Sequence, residues 1–118
     1  MKRLPHFINI ILLAGLLLYG LWFSLGRHAK TNSGRFDLGN MEQTIWNTIH
    51  GRGFVLTDPY GTATVARFAF HADPFLILLA PFYAAVPRTE TLLILQVLAV
   101  ASGGIALWLL AQRLLNGA

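Results

Sequence analysis

Two long apolar runs limit what this chain can become. Phe7 to Leu25 is 19 residues broken only by Asn9 and Ser24, and Thr91 to Leu110 is 20 residues without a charge. At 1.5 Å per residue each covers about 28–30 Å, the thickness of a bilayer's hydrocarbon core. A soluble domain of 118 residues has too little interior to hide both runs. Composition agrees: 55% of residues are hydrophobic and only 12% charged, with a mean hydropathy of +0.57. A soluble domain carries about 25% charged residues. The expected class is therefore an all-α integral membrane protein.

The absence of cysteine removes disulfide frameworks, thiolate zinc sites and cysteine catalysis. Nine Lys and Arg against five Asp and Glu leave a net charge of +4, scattered singly between apolar runs. That pattern suits lipid phosphates and not nucleic acid, whose binders cluster their basic residues in a stripe. Met1-Lys2-Arg3 and the small residues of Ser24-Leu25-Gly26 imitate a secretory signal. The apolar run exceeds a signal's usual core, and Tyr19, Trp22 and Phe23 form an interfacial anchor, so a retained helix over 7–25 is expected.

Residues 26–70 are polar and rich in glycine, a length that implies a structured loop. Within it Leu38, Met41, Ile45 and Ile49 recur at helical spacing, opposite Asn40, Glu42, Gln43 and Asn47, and predict an amphipathic helix at the membrane interface. Asp37 is placed to cap that helix, Phe36 and Met41 to staple its start, and Gly51 to close its end. Asp58-Pro59-Tyr60-Gly61 has type I turn chemistry, flanked by candidate strands over 54–57 and 63–70.

Pro74 to Val86 is apolar for only 13 residues. It predicts a short helix over 71–86, kinked at Pro81, that needs help to span. With the helices at 7–25 and 91–110, about three transmembrane segments are expected in one polytopic domain covering 1–118. Ala99 and Gly103, beside Ser102 and Gly104, offer a small-residue face to other transmembrane helices.

Ionisable side chains gather in the loop. Asp37 and Glu42 are candidate acid–base residues, although five positions apart they do not share a helix face. Arg35, Arg52 and Arg67 are candidate phosphate ligands. His71 and Asp73, at the mouth of the short helix, are candidate ligands for a divalent cation or simple interfacial caps.

The stretch from Phe36-Asp37-Leu38-Gly39-Asn40-Met41-Glu42-Gln43 through Ile45-Trp46-Asn47-Thr48-Ile49-His50-Gly51-Arg52-Gly53-Phe54 resembles the signature of a family of uncharacterised polytopic membrane proteins, the domain of unknown function family twenty seventy-nine. His71 to Pro74, Pro81-Phe82-Tyr83 and the run from Leu92 to Leu115 also resemble it. Ala72-Asp73 stands where the family pattern has an aromatic-Ser pair before the proline.

Members are several times longer and resemble the C-type glycosyltransferase fold, which implies that this chain is an N-terminal fragment. The resemblance implies a catalytic base at Asp37, a polyprenyl-phosphate-linked sugar as donor, and basic side chains on the leaving phosphate. It also implies a prokaryotic plasma membrane with the 26–70 loop external. Charge points the other way. Three alternating crossings put Lys2, Arg3 and Arg88 on one side and six basic residues on the other, which favours a cytoplasmic loop. The translocation of long loops regardless of charge reconciles the two. Two other readings stand beside it: a small non-enzymatic membrane protein packing on a larger partner through Ala99 and Gly103, and a transporter fragment built on the proline-interrupted helix.

Overall fold

The structure, a computed structural model, describes residues 4–31 and 33–116. It is mostly helical. In chain order the elements are α1 (Leu4–Ala29), a five-residue π turn (Arg35–Gly39), α2 (Asn40–Ile49), β1 (Val55–Thr57), β2 (Thr64–Ala66), a 3-10 turn (Arg67–Ala69), α3 (Leu76–Ala85) and α4 (Thr89–Asn116). They divide into two compact units: residues up to Arg27 with those from Leu93 onward, and His28–Leu92.

The first unit pairs α1 with α4. Both are long and apolar enough to cross a membrane, as the two long runs predict. They touch at several points along their length. His6 donates to or accepts from Gln112 at 2.9 Å and meets Trp108 edge to face at 5.3 Å. Further along, Leu13 lies against Gly104 and Val97 against Gly20. Positions 6, 13 and 20 advance by heptads while their partners run backward, so the helices are antiparallel and meet along one seam. A β-carbon at Gly20 would stand 2.9 Å from Val97 Cγ1, and one at Gly104 2.8 Å from Leu13 Cδ2. The glycines therefore set the approach of the two helices. Gly104 meets Leu13, while its neighbours Ala99 and Gly103 are exposed, with open space around Gly103.

The second unit is a small folded module. Ile45 of α2, Leu76 and Tyr83 of α3 and Leu92 of α4 form its buried cluster, with Leu38, Met41, Trp46, Ile49, Phe54, Leu79 and Ala80 packed around them. Each fully buried large apolar side chain contributes about 1.5–3 kcal/mol. The apolar stripe of α2 was expected to meet the membrane. It is turned inward against α3, where Ile45 packs with Leu76 and Tyr83.

α2 ends as its sequence predicts. Gly51 has φ +71°, its N–H donates to the Thr48 carbonyl at 3.2 Å, and Arg52 N–H donates to Asn47 O at 2.9 Å, which is the Schellman arrangement. Its start differs. The helical run begins at Arg35 through the π turn, so Asp37 sits inside a turn and cannot cap α2. The wide turn lets Asn40 Nδ2 reach back to the Phe36 carbonyl at 2.6 Å and supply a donor there.

β1 and β2 pair antiparallel with Leu56 opposite Val65. Asp58 accepts Gly61 N–H on its carbonyl at 3.2 Å and Tyr60 N–H on Oδ1 at 2.9 Å, closing the expected turn. The second strand stops at Ala66, short of the expected Phe70, because Arg67–Ala69 coil into a 3-10 turn. This hairpin is a two-stranded exception to an otherwise helical chain.

The short apolar run gives α3 only 10 residues. That is about 15 Å, half a hydrocarbon core, so among the described residues two helices, α1 and α4, are long and apolar enough to cross a membrane.

Candidate functional site

The acidic residues of the second unit fall into two groups: Glu42, Asp58 and Asp73 accept hydrogen bonds, while Asp37 and Glu90 are exposed and accept none among the described residues. Glu42, near the start of α2, accepts from Tyr83 Oη on Oε1 at 2.8 Å and from Thr89 Oγ1 on Oε2 at 2.5 Å. One carboxylate thus ties α2 to α3 and to the first residue of α4, where the positive end of a helix dipole favours it. Burial, and next the bond to Glu42, push the Tyr83 hydroxyl up to about 12, so the phenol stays protonated and donates. Sequence reasoning placed Glu42 on a polar helix face and missed Tyr83 and Thr89. The available signal was a tyrosine and a threonine within or beside the apolar runs, where a polar tip needs a partner.

Asp73 is engaged as well. Its carboxylate receives Arg67 Nε at 3.0 Å and Nη2 at 2.5 Å in a bidentate pair, with Arg67 only 1% exposed. The hydrogen bonds from Arg67 hold the Asp73 carboxyl below its ordinary value, more than offsetting the effect of burial. Nη1 of Arg67 is buried without a hydrogen-bond partner among the described residues. Asp73 makes no side-chain cap on α3, whose first turn instead uses the Asp73 carbonyl, bonded by Leu76 N–H at 3.2 Å. A cation at Asp73 would have to displace Arg67. Among the described residues no group of three or more His, Asp or Glu side chains gathers as a metal site would require.

Arg52 is exposed at the end of α2, its guanidinium 4.8 Å from the centroid of Trp46. His50 stacks on the same indole at 4.0 Å, with Nδ1 2.7 Å from the Trp46 carbonyl. The positive φ values of Gly51 and Gly53, +71° and +87°, bend the chain on either side of Arg52. The Arg35 side chain lies outside the described residues. His71 is exposed, two residues before Asp73.

Asp37 stands apart. It is exposed on the π turn, and its carboxylate makes no hydrogen bond or ion pair among the described residues. Likewise, none joins Asp37 to Glu42, Arg52, Arg67, His71 or Asp73. The turn holds the residue at the head of a helix buried against α3, so its backbone is fixed while its side chain is free.

Comparison with curated proteins and with solved structures gives no match. One family model does match, over residues 27–118, from the end of α1 through the whole module and α4. The chain therefore belongs to the family described as "Predicted membrane protein (DUF2079)".

Proposed function

We propose that this is an integral membrane protein whose α1 and α4 cross the bilayer as an antiparallel hairpin, with the module of residues 28–92 on the external face. There it serves a glycosyltransferase-like reaction on a polyprenyl-phosphate-linked sugar. Asp37 is the base. It takes the proton of an acceptor hydroxyl as the oxygen bonds to the anomeric carbon. The bond from that carbon to the phosphate oxygen breaks, and the polyprenyl phosphate leaves with the electron pair. Arg52, exposed beside Trp46, is the basic side chain best able to meet that phosphate.

The observation that carries this reading is the contrast among the module's acids. Glu42, Asp58 and Asp73 all accept hydrogen bonds, while the carboxylates of Asp37 and Glu90 are exposed and uncommitted among the described residues. Glu90 sits in the first turn of the apolar α4, which leaves Asp37 as the uncommitted acid of the polar loop. A base must keep its lone pairs available to the proton it removes. The test uses membranes containing the protein, a panel of radiolabelled polyprenyl-phosphate sugars, and an assay for released polyprenyl phosphate. Release should be measurable with the parent and fall at least about a hundredfold in Asp37→Asn. Loop folding, followed by limited proteolysis, should not change. Equal release from both proteins, or none from the parent, overturns the assignment.

A competing reading, docking to a larger membrane partner, is favoured by the exposed Ala99, Ser102 and Gly103. It would predict that Gly103→Leu, not Asp37→Asn, is the damaging change.

A further inference from the structure

α3 is apolar on both sides, and the module uses only one of them. Leu76, Tyr83 and the partly buried Leu79 and Ala80 belong to the cluster formed with α2. Phe75, Leu78 and Phe82 are 54%, 70% and 55% exposed. On a helix these three fall within about 60° of one another and lie on the side away from Leu76. No charged residue interrupts 74–86. An apolar face of this size is costly in water and marks contact with something apolar.

Three observations identify what covers it. First, Ala85 is followed after only three residues by Thr89, where a helix of spanning length begins. Four chain steps reach no more than about 14 Å, so the end of α3 lies close to the level at which α4 enters the bilayer. Second, Arg88, between the two helices, is exposed at that level, where a basic side chain meets lipid phosphates. Third, the acid that precedes α3, Asp73, is paired with Arg67, so the entry to the helix brings no uncompensated charge toward hydrocarbon.

We propose that α3 is an interfacial helix seated in one leaflet, with Phe75, Leu78 and Phe82 among the lipid acyl chains, and that it does not cross the membrane. It lies at the headgroup boundary with its apolar face dipping about 5–10 Å, and α2 rides on its other side, away from the lipid. This goes beyond the catalytic reading and does not depend on it. The membrane-seated helix of the module is then α3, and the amphipathic stripe of α2 belongs to protein packing.

The chain has no cysteine, so single cysteines report without background. The full chain would be placed in vesicles of phosphatidylcholine and phosphatidylglycerol. Leu78→Cys and Phe82→Cys would each carry an environment-sensitive fluorophore, and the lipids would be brominated at shallow or deep acyl positions. Ala72→Cys and Arg88→Cys would be treated with a membrane-impermeant maleimide. The expected result is quenching by about half or more at residues 78 and 82, stronger from shallow than from deep bromines, with residues 72 and 88 reacting from the same side. A label at Tyr60→Cys, on the 89% exposed hairpin tip, should remain unquenched. Absence of quenching at 78 and 82 overturns the proposal, because water or protein would then cover the face. Reaction of 72 and 88 from opposite sides also overturns it, because α3 would then span.

Discussion

The two units of this chain spend apolar sequence differently. In the paired helices α1 and α4 the large side chains point outward. Phe7, Ile10, Leu12, Leu18 and Trp22 of α1 are all exposed, and the helices meet at His6 and at two close approaches set by glycine. The module of 28–92 has a buried cluster and is held by directional polar contacts. Gln43 both donates to Thr57 Oγ1 at 2.7 Å and accepts its N–H at 3.1 Å, and Asn47 donates to the Val55 carbonyl at 2.9 Å. A lipid-facing pair needs close approach and little else, since lipid is as apolar as leucine and drives no burial. A module with a buried cluster needs named partners for its polar groups, because an unpaired buried one is expensive. Damage should therefore be large and local in the module and mild in the helix pair.

The largest effect is expected at the buried ion pair. Asp73→Ala leaves the Arg67 guanidinium, 1% exposed, without its counter-ion. The module should lose about 3–5 kcal/mol, read as a lower denaturant midpoint for protease protection of the loop in detergent micelles. The double change Arg67→Met with Asp73→Leu should recover most of that loss. If the single change costs no more than a surface pair would, the contrast between the units fails at its strongest point.

Acid should act at the same place. The folded Asp73 carboxyl titrates below its ordinary 3.8, so its stabilisation is complete above that value. It is lost as the pH falls through the folded value. Protease protection of the parent should therefore decline as the pH is lowered below about 3.8, and the doubly apolar variant should be less sensitive.

Glu42 comes next. Glu42→Ala removes the acceptor of both Tyr83 and Thr89, and should cost about 2–4 kcal/mol by the same assay. Tyr83→Phe breaks only one of the two bonds and should cost less. A larger loss from Tyr83→Phe than from Glu42→Ala would mean that packing, and not the carboxylate, joins the three helices.

What was legible in the sequence follows from how local each signal is. The long helices, the hairpin turn at Asp58 and the glycine stop at Gly51 are written in neighbouring residues, and each formed where expected. The role of Glu42 was not legible, because Tyr83 and Thr89 lie 41 and 47 residues away in sequence. Arg67 and Asp73 are only six apart, yet each alone reads as a surface charge. The start of α2 was misplaced because Asp37 is a good cap residue by type, while the π turn that absorbs it has no short sequence signature. For the stripe of α2, periodicity located the apolar face correctly. It could not say whether protein or lipid would cover that face.

The smallest effects belong to the seam between α1 and α4, where neighbouring glycines should give a graded series. Gly20→Ala drives a methyl to 2.9 Å from Val97 Cγ1, and valine is β-branched and cannot swing aside. A cost of about 1–3 kcal/mol is expected, read as a lower melting temperature of the helical signal in micelles. Gly104→Ala comes as close, at 2.8 Å, but to the tip of Leu13, which can change rotamer, so its cost should be below about 1 kcal/mol. Gly103→Ala meets nothing within 4 Å and should stabilise the helix slightly, by up to about 1 kcal/mol, through alanine's higher helix propensity. The order Gly20, Gly104, Gly103 is the signature of a seam set by two close approaches. If Gly103→Ala proved the most damaging, the packing face would be the Ala99 and Gly103 side after all, and the helix pair would be specified by a partner outside this chain.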